Sequence, residues 1–288
     1  MKFHKASRQK AKLRLALTGP SGSGKTYGAL QVAKGIGGRI AVIDTERGSA
    51  SLYSHLVEFD ALELDAPYKP ERFIEAIQAA EAEGYEVLII DSITHEWSGV
   101  GGCLEMVDEI ARSKYKGNSW SAWNEVTPRH RAFIDAILQS KMHIIATTRS
   151  KTETAQTEEN GRKRVVKLGM KSEQRDGIEY EFTTVLDIVH DGNYATASKD
   201  RTGLFGGDPR KLTPDVGVML LEWLNSGAEV TTPSVVEQAR TALDAAQDRA
   251  KIDRIVARAK AALGESSDEF SAVEDYAMGR IAQLEPQS

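Results

Sequence analysis

Residues 19–26 read Gly-Pro-Ser-Gly-Ser-Gly-Lys-Thr, and this glycine-rich segment constrains the fold more than any other part of the chain. The apolar run 13–17 precedes it, and the helix-compatible run 27–34 follows it. A strand, a glycine-rich loop and a helix in this order form the setting in which the pattern G-x-x-x-x-G-K-[ST] binds a polyphosphate. The segment therefore predicts an α/β sheet whose first strand ends in a phosphate-binding loop, called the P-loop below. The alternative is a glycine-rich turn that binds nothing.

The positions of the P-loop predict contacts to a nucleoside triphosphate. Gly19, Gly22 and Gly24 let the backbone amides surround a polyphosphate. Lys25 supplies a positive charge to the β- and γ-phosphates, and Thr26 supplies a hydroxyl ligand to Mg²⁺. We therefore expect ATP and Mg²⁺ as cofactors, with Lys25 also contributing to catalysis. The predicted nucleotide contacts in this segment are Gly19, Pro20, Ser21, Gly22, Ser23, Gly24, Lys25, Thr26 and Tyr27.

A second strand-like segment ends in an acidic residue. Residues 85–92 read Tyr-Glu-Val-Leu-Ile-Ile-Asp-Ser, and their continuous apolar centre is typical of a parallel strand that is buried on both faces. A carboxylate at the carboxyl end of such a strand faces the ligand crevice of an open α/β sheet. Asp91 is therefore the predicted second ligand of Mg²⁺ and a nucleotide contact. Its alternative role is to start a turn.

The pattern along the chain predicts three segments. Residues 1–12 form a basic N-terminal arm, residues 13–228 alternate apolar strands with helices, and residues 229–288 form a helical C-terminal domain. Such alternation is typical of a mostly parallel sheet with crossover helices. In the C-terminal domain, Ser234 and Ser266 are predicted to start helices, because each precedes a glutamate by three residues. The predicted strands are 13–18, 39–44, 61–64, 86–91, 142–148, 185–190 and 194–199.

Composition narrows the classes of protein that remain. Of the 288 residues, 27% are charged and 41% are apolar, which is ordinary for a soluble globular protein. The single cysteine, Cys103, excludes an internal disulfide and fits a reducing cytoplasm. No apolar run reaches the ~18 residues of a membrane span. The histidines are scattered, and no His/Cys group has the spacing of metal ligands. We therefore expect a cytoplasmic protein without membrane contact.

An acidic residue after the second strand is the candidate catalytic base. The predicted strand 39–44 is followed by Thr45 and Glu46. A carboxylate beside the phosphate loop can polarise the water that attacks the γ-phosphate. The spacing alone equally allows Glu46 to form a surface ion pair with Arg47 or Arg72.

These segments together resemble the RecA-type recombinases. The Ile-Asp-Thr-Glu sequence at 43–46 and the strand that ends in Asp-Ser at 91–92 match two of their motifs. More narrowly, residues 44–53 and 91–99 resemble the small RecA-like ATPases of bacteriophages, including the single-strand-annealing group. The resemblance covers roughly residues 11–228. It implies a RecA-like P-loop NTPase core that hydrolyses ATP and acts on single-stranded DNA in recombination or strand annealing.

The resemblance also implies roles for single residues. Glu46 matches the catalytic base, and Lys199 and Arg201 match a basic pair with which a neighbouring subunit reaches the γ-phosphate. The expected assembly is a homo-oligomer, a ring or a filament, with ATP at the subunit interfaces. Its location is the cytoplasm of the host cell if the chain is phage-encoded. Thr148 stands where RecA proteins carry a γ-phosphate-sensing Gln, which makes it a predicted nucleotide contact, with Arg149 as the alternative.

Two segments that we predict to be loops are candidates for contacts with single-stranded DNA. Residues 97–128 combine cations with aromatic rings, and bases stack on such rings while cations follow the phosphates. Residues 149–175 are polar and basic, as is typical of a functional or disordered loop. Core packing of the tryptophans and a solvated run of charges are the alternatives. The predicted DNA contacts are Lys114, Lys116, Trp120, Trp123, Arg162, Lys163, Arg164, Lys167 and Lys171.

Two other functions stay open from the sequence. A non-catalytic, nucleotide-switched scaffold would need Lys25 and Asp91 for binding but could lack Glu46. It would hold a protein partner through the helical C-terminal domain. A P-loop kinase would use Arg162–Arg164 as a lid over the phosphates, but it would have no use for a basic pair that acts on a neighbouring subunit.

Overall fold

The computed structural model describes residues 7–159, 162–228, 235–265 and 267–284. The chain divides into two compact units with a boundary between residues 228 and 229. The larger unit contains the strands of the sheet, and the described residues of the smaller unit are mainly helical.

The strands of the larger unit form one mostly parallel sheet. They are β1 (Arg14–Gly19), β2 (Ile40–Asp44), β3 (Asp60–Glu63), β4 (Val87–Asp91), β5 (His143–Glu159), β6 (Arg162–Ser172), β7 (Thr184–Ile188), β8 (Tyr194–Asp200) and β9 (Arg210–Lys211). The order across the sheet is β3-β2-β4-β5-β1-β7-β8-β9, and β6 pairs with β5. The pairs from β3 to β7 are parallel, whereas β6, β8 and β9 pair antiparallel. This α/β sheet confirms the predicted fold class.

Helices connect the strands and continue into the smaller unit. Their bounds are α1 (Lys25–Ile36), α2 (Pro70–Ala82), α3 (Thr94–Ser98), α4 (Cys103–Lys114), α5 (Ser119–Gln139), α6 (Pro214–Asn225), α7 (Val235–Asp244), α8 (Arg249–Leu263) and α9 (Asp268–Leu284).

The parallel strands are buried on both faces, which explains their continuous apolar sequences. In β4, Val87 and Ile89 belong to the apolar core that includes residues of α1. Leu88 and Ile90 belong to the core on the other face, which includes Phe73 of α2 and residues of α5. Truncating such a buried leucine or isoleucine to alanine costs about 2–5 kcal/mol. The two cores therefore hold the strand ends, and the side chains that follow them, in fixed positions.

The carboxyl ends of the central strands meet at one edge of the sheet. Asp44 of β2 lies opposite Asp91 of β4 in the parallel register. Gly19 of β1 lies opposite Arg149 of β5. Strand pairing alone therefore brings the P-loop, the acidic strand ends and Arg149 together.

Both segments that we predicted to be DNA-binding loops contain regular structure, so the loop prediction was wrong. Much of 97–128 is helical, in α4 and the first half of α5. Much of 149–175 is a β-hairpin, since β6 returns antiparallel to β5 and pairs with it from Ser150↔Ser172 to Glu159↔Arg162. The prediction missed the β5–β6 hairpin because its strands are polar and lack the apolar alternation by which strands are recognised.

The described part of the N-terminal arm, residues 7–12, runs beside the end of α6. The backbone N–H of Lys10 donates to the carbonyl of Ala228 (2.8 Å), and the N–H of Ala228 donates to the carbonyl of Arg8 (2.8 Å). The guanidinium carbon of Arg8 lies 4.6 Å from the ring centroid of Trp223. These contacts tie residues 8–10 to the larger unit.

The smaller unit has an apolar core of its own, formed by α7, α8 and α9. The carboxylate of Asp248 caps α8 by accepting a backbone hydrogen bond from its first turn. The predicted capping residues Ser234 and Ser266 lie outside the described residues. In the described parts of the chain, no helix combines the length and the apolar character that crossing a membrane requires. The buried core residues of this unit include Leu243, Ile252, Phe270 and Val273.

Candidate nucleotide-binding site

A cavity of about 770 Å³ lies beside the P-loop. Its wall contains the candidate base Glu46, the candidate metal ligands Thr26 and Asp91, and the cation Lys25. The P-loop, the start of α1 and the segments after β2, β7 and β9 contribute most of the lining. The lining residues are Ser21, Gly22, Gly24, Lys25, Thr26, Tyr27, Gly28, Glu46, Tyr53, Asp91, Arg149, Ile188, Gly192, Asn193, Lys211, Leu212 and Thr213.

The backbone of the P-loop requires glycine at three positions, one of which is Gly22, with a φ of 77°. Gly24 has a φ of 88°, in the left-handed region that favours glycine. A Cβ atom on Gly19 would lie 2.4 Å from Ser23 Oγ and 2.7 Å from the carbonyl oxygen of Ile188. Gly19, Pro20 and Ser23 do not line the cavity, whereas the other predicted P-loop contacts do. Gly19, Pro20 and Ser23 therefore support the conformation of the loop without facing the cavity.

Lys25 lies at the start of α1 and turns its side chain back over the P-loop. Its Nζ donates hydrogen bonds to the carbonyl oxygens of Gly19 (3.0 Å) and Pro20 (2.9 Å). Burial lowers the pKa of Lys25, while the nearby carboxylates of Asp91 and Glu46 act in the opposite direction. A phosphate group in the cavity would offer this cation a charged partner at the N-terminus of a helix, where anions are favoured.

Thr26 and Asp91 form a pair of oxygen donors that fits Mg²⁺. Thr26 Oγ1 donates a hydrogen bond to Asp91 Oδ2 (2.5 Å). Thr147 Oγ1 donates to Asp91 Oδ1 (2.5 Å), a contact that the sequence did not predict. Burial raises the pKa of Asp91, and the hydrogen bonds from Thr147 and Thr26 oppose that rise. Hydroxyl and carboxylate oxygens are hard ligands of the kind that Mg²⁺ prefers. In the metal-bound site, both would turn their oxygens to the ion.

A turn stabilised by Asp44 places Glu46 at the cavity. Asp44 is buried, and its carboxylate accepts hydrogen bonds from the backbone N–H groups of Glu46 (2.6 Å) and Ala50 (2.9 Å). An aspartate that accepts such bonds from residues just after it fixes the local chain direction. The hydrogen bonds of Asp44, at the end of β2, therefore fix the position of the Glu46 backbone.

The carboxylate of Glu46 is paired with Arg149. Nε and Nη2 of Arg149 lie 3.0 Å and 2.9 Å from Glu46 Oε1. The ion pair forms at the wall of the cavity rather than with Arg47 or Arg72. Glu46 is thus close to the space for a nucleotide, and a cation from β5 compensates its charge.

Thr148 does not line the nucleotide cavity. Its Oγ1 lies 2.8 Å from Thr18 Oγ1 and accepts a hydrogen bond from Ser172 Oγ (2.9 Å). Because side chains alternate along a strand, Thr147 turns towards Asp91 and Thr148 turns to the other face of the sheet. The placement therefore does not support Thr148 as a nucleotide contact, whereas the alternative residue, Arg149, does line the cavity.

Lys199 and Arg201 lie away from the cavity of their own chain. Lys199 is opposite Val185 in the sheet, and Val185 is level with Ala16 in the middle of β1. The Nζ of Lys199 donates to the carbonyl oxygen of Tyr180 (2.6 Å). Neither cation lines the nucleotide cavity. Any role at a γ-phosphate would therefore be exerted on a neighbouring subunit.

Two residues at the wall of the cavity, Tyr53 and Asn193, were not predicted from the sequence as nucleotide contacts. Asn193 Nδ2 donates a hydrogen bond to the carbonyl oxygen of Ser23 (2.6 Å). The rings of Tyr27 and Tyr53 meet edge to face, with centroids 6.1 Å apart. Asn193 and Tyr53 follow strands without a recognisable motif, so only the folded chain brings them to the P-loop. The two tyrosines place aromatic surface at the wall of the cavity.

The two predicted DNA-binding tryptophans differ in their surroundings. Trp123 is half-buried and stacks on Trp97, with ring centroids 5.5 Å apart and an interplanar angle of 24°. Trp120 is 85% exposed. The alternative that these tryptophans pack in the core therefore holds in part for Trp123 and does not hold for Trp120.

Among the predicted DNA-binding cations, Lys114 ends α4 and Lys116 follows it, and the others lie on β6 of the β5–β6 hairpin. Lys114 forms an ion pair with Glu125 (2.8 Å), and Lys171 forms one with Asp176 (2.8 Å). Lys116 is exposed. The remaining predicted cations belong to β6, but their side chains lie outside the described part of the structure: Arg162, Lys163, Arg164 and Lys167.

The fold and the cavity together define a class of protein. A P-loop at the end of β1, an acidic strand end beside it and a mostly parallel sheet are the features of a P-loop NTPase. A family model described as an AAA domain matches residues 11–212, and the chain belongs to this family of P-loop NTPases. No curated protein matches the chain. Membership of this family indicates nucleotide binding and ATPase activity.

Proposed function

We propose that this protein hydrolyses ATP with Mg²⁺ and couples the reaction to its binding of single-stranded DNA, in recombination or strand annealing. The observation that carries the proposal is the ion pair between Glu46 and Arg149. It joins the candidate catalytic base to β5, the strand that continues into the basic β5–β6 hairpin.

The residues of the cavity divide the work of hydrolysis. Lys25 and the P-loop amides hold the β- and γ-phosphates, and Thr26 and Asp91 hold Mg²⁺. Mg²⁺ held there would supply positive charge to offset the charge that develops on the transferred phosphoryl group. Glu46 orients the attacking water and accepts its proton. Because phosphoryl transfer depends mainly on position and charge, these groups suffice for the reaction class.

Arg149 couples the γ-phosphate to Glu46. A carboxylate oxygen that is hydrogen-bonded to a guanidinium, as Glu46 Oε1 is to Arg149, is less available to a water molecule. The γ-phosphate competes with Glu46 for Arg149, because both are anions. Binding of ATP thus releases Glu46 to water and draws Arg149 towards the phosphate. Since Arg149 belongs to β5, the same change is transmitted to the backbone of the β5–β6 hairpin.

A surface that includes Arg175, just after β6, has the chemistry of a site for single-stranded DNA. Trp97, Trp120, Trp123, Arg131 and Arg175 surround a cavity of about 550 Å³, and we call these residues the tryptophan surface. The guanidinium carbon of Arg175 lies 5.7 Å from the ring centroid of Trp123. Exposed rings stack with bases of any sequence, and arginines hold the adjoining phosphates. This combination supports DNA as the ligand.

Three further parts complete the proposal. The first two rest on the resemblance to RecA-like ATPases of bacteriophages, which does not extend to the C-terminal unit. The protein assembles as a ring or filament with ATP at its subunit interfaces, where Lys199 and Arg201 act on the neighbouring γ-phosphate. It works in the cytoplasm, in the host cell if it is encoded by a phage. Its helical C-terminal unit, described over 235–265 and 267–284, binds a protein partner.

One observation favours the nucleotide-switched scaffold as a second candidate. The C-terminal unit has an apolar core of its own, as a partner-binding module would have. The separate core of the C-terminal unit would then serve mainly to hold the partner.

Hydrolysis of ATP by the purified protein, measured with and without single-stranded DNA, separates these functions. We expect hydrolysis that requires Mg²⁺ and whose rate changes when DNA is added. Binding of ATP without hydrolysis under either condition would favour the scaffold. Hydrolysis by a protein that does not bind single-stranded DNA would support the nucleotide site and refute the DNA half of the proposal.

A further inference from the structure

A buried group of side chains outside the nucleotide cavity has the composition of a metal site. Glu96 belongs to α3, Cys103 begins α4, and His130 lies in the middle of α5. Their exposed fractions are 0%, 0% and 3%. Cys103 Sγ and His130 Nδ1 each lie 3.0 Å from Glu96 Oε1, and the three ligand atoms all lie within 4.8 Å of one another. We propose that Glu96, Cys103 and His130 bind a Zn²⁺ ion.

The donor set selects zinc rather than magnesium. A thiolate, an imidazole nitrogen and a carboxylate oxygen are typical Zn²⁺ ligands, whereas Mg²⁺ prefers oxygen ligands. Zinc bonds of about 2.0–2.3 Å place neighbouring ligand atoms roughly 3–4 Å apart, so the ligand atoms here need only a small expansion. Zn²⁺ would replace the thiol proton of Cys103, which leaves to solvent, and His130 would bind through Nδ1 as a neutral imidazole that carries its proton on Nε2. A water molecule takes the fourth position.

The surroundings already hold the ligands in place. Gln174 Nε2 donates to the carbonyl oxygen of Ile93 (2.9 Å) and lies 3.3 Å from Glu96 Oε2. The ring of Trp97 packs against His130, with centroids 5.4 Å apart. Partners of this kind orient metal ligands. The ion would join α3, α4 and α5, the last of which contributes Trp123 to the tryptophan surface.

No motif in the sequence predicts this site. Glu96 and Cys103 are close in the chain, but His130 lies on a different helix, and the third ligand is a carboxylate. No His/Cys pair has a metal-ligand spacing, so the site exists only after α3, α4 and α5 pack together.

Titration of the untagged, chelator-treated protein with Co²⁺ tests the proposal. A thiolate bound to Co²⁺ produces a charge-transfer absorption band, and Cys103 is the only cysteine of the chain, so the band reports this site alone. We expect the band to saturate at one ion per chain, to disappear when Zn²⁺ is added and to persist in excess Mg²⁺. Zn²⁺ should also raise the Tm, because a ligand that binds only the folded state stabilises it. A wild-type protein that shows no thiolate band overturns the proposal and leaves the group as a buried hydrogen-bond network.

Variants with matched controls locate the ion. Loss of a residue that only supports a metal ligand typically lowers metal affinity by roughly 10–100-fold. Glu96→Gln and His130→Gln remove ligands themselves, so each should weaken Co²⁺ binding by at least that factor. Glu109→Gln and His55→Gln remove the same groups from exposed positions and should leave the affinity unchanged. Wild-type affinity in both cluster variants would overturn the assignment.

Discussion

The nucleotide cavity and the tryptophan surface are built in different ways. Lys25 and Thr26 belong to one loop, and Asp91 ends a strand of the same sheet, so backbone geometry alone brings them together. Trp97, Trp123 and Arg175 come from α3, α5 and the segment after β6, and they meet only through side-chain packing. A site that the backbone defines can therefore be recognised in a sequence. For the tryptophan surface, the sequence pointed only to Trp120 and Trp123, and Trp97 and Arg175 join them only in the folded chain.

In the proposed function, Arg149 is the residue that couples these two regions. It lines the nucleotide cavity, pairs with Glu46, and belongs to the strand that forms the hairpin. If the two regions were independent, changes in one would leave the other unaffected. The variants below test this, beginning with the largest expected effect.

Lys25→Ala should eliminate hydrolysis and most of the affinity for ATP, because the triphosphate would then lie in the loop without its main counter-charge. Lys34→Ala, which removes an exposed cation from the same helix, should behave as wild type. ATP binding by calorimetry and phosphate release measure both effects. Wild-type hydrolysis by Lys25→Ala would show that the cavity is not the catalytic site.

Lys199→Ala should lower hydrolysis in the assembled protein by about 10³–10⁵-fold, the value of a cation supplied by a neighbouring subunit. Such a contact is head to tail and gives a ring or a filament. Mixing Lys199→Ala with Lys25→Ala subunits should restore some activity, since some interfaces then combine two intact halves. Mixtures that assemble but remain inactive would argue against a shared site.

Glu46→Gln should retain ATP binding and lower turnover by about 10²–10⁴-fold, because the amide cannot accept the proton of the attacking water. Glu58→Gln, at an exposed position, is the matched control. Binding and single-turnover hydrolysis distinguish the two steps. Unchanged turnover would remove Glu46 from the mechanism and favour the nucleotide-switched scaffold.

Trp120→Ala should weaken binding of single-stranded DNA by about 1–3 kcal/mol for each base that it stacks, with little change in salt dependence. Replacing Arg162, Lys163 and Arg164 together should instead flatten the salt dependence, whose slope is about −0.7 per phosphate neutralised. Salt titrations of both variants separate stacking from charge. Equal slopes for the triple variant and wild type would exclude these cations from the DNA path.

The position of a residue could be predicted from the sequence wherever its own strand or loop determines that position. The fold class, the P-loop and the strand that ends at Asp91 were predictable because continuous apolar strands and a glycine-rich turn have local signatures. The roles of Lys25 and Glu46 remain predictions that the variants above test, and the role of Asp91 remains a prediction. Thr147 and Thr148 show where prediction from the sequence stops. Successive side chains of a strand point to opposite faces of the sheet, so only one of the two hydroxyls can contact Asp91. The sequence does not indicate which one.

The β5–β6 hairpin and the long-range pairs were beyond prediction for different reasons. The sequence of the hairpin is polar, and its strands pair with each other without the apolar alternation that would have identified them. The Glu46–Arg149 pair joins residues that are far apart in the chain, and either side chain could equally have pointed to solvent. Only the packed sheet brings them together.

The response of ATP hydrolysis to saturating single-stranded DNA, measured in Arg149→Ala, tests the coupling most directly. The variant should still bind ATP and DNA, but its rates with and without DNA should become about equal, because Glu46 no longer has the partner through which β5 controls it. Lys151→Ala removes a cation from the same strand without removing the Glu46 pair and should keep the wild-type response. A wild-type DNA response in Arg149→Ala would contradict the coupling of the nucleotide cavity to the hairpin through this ion pair.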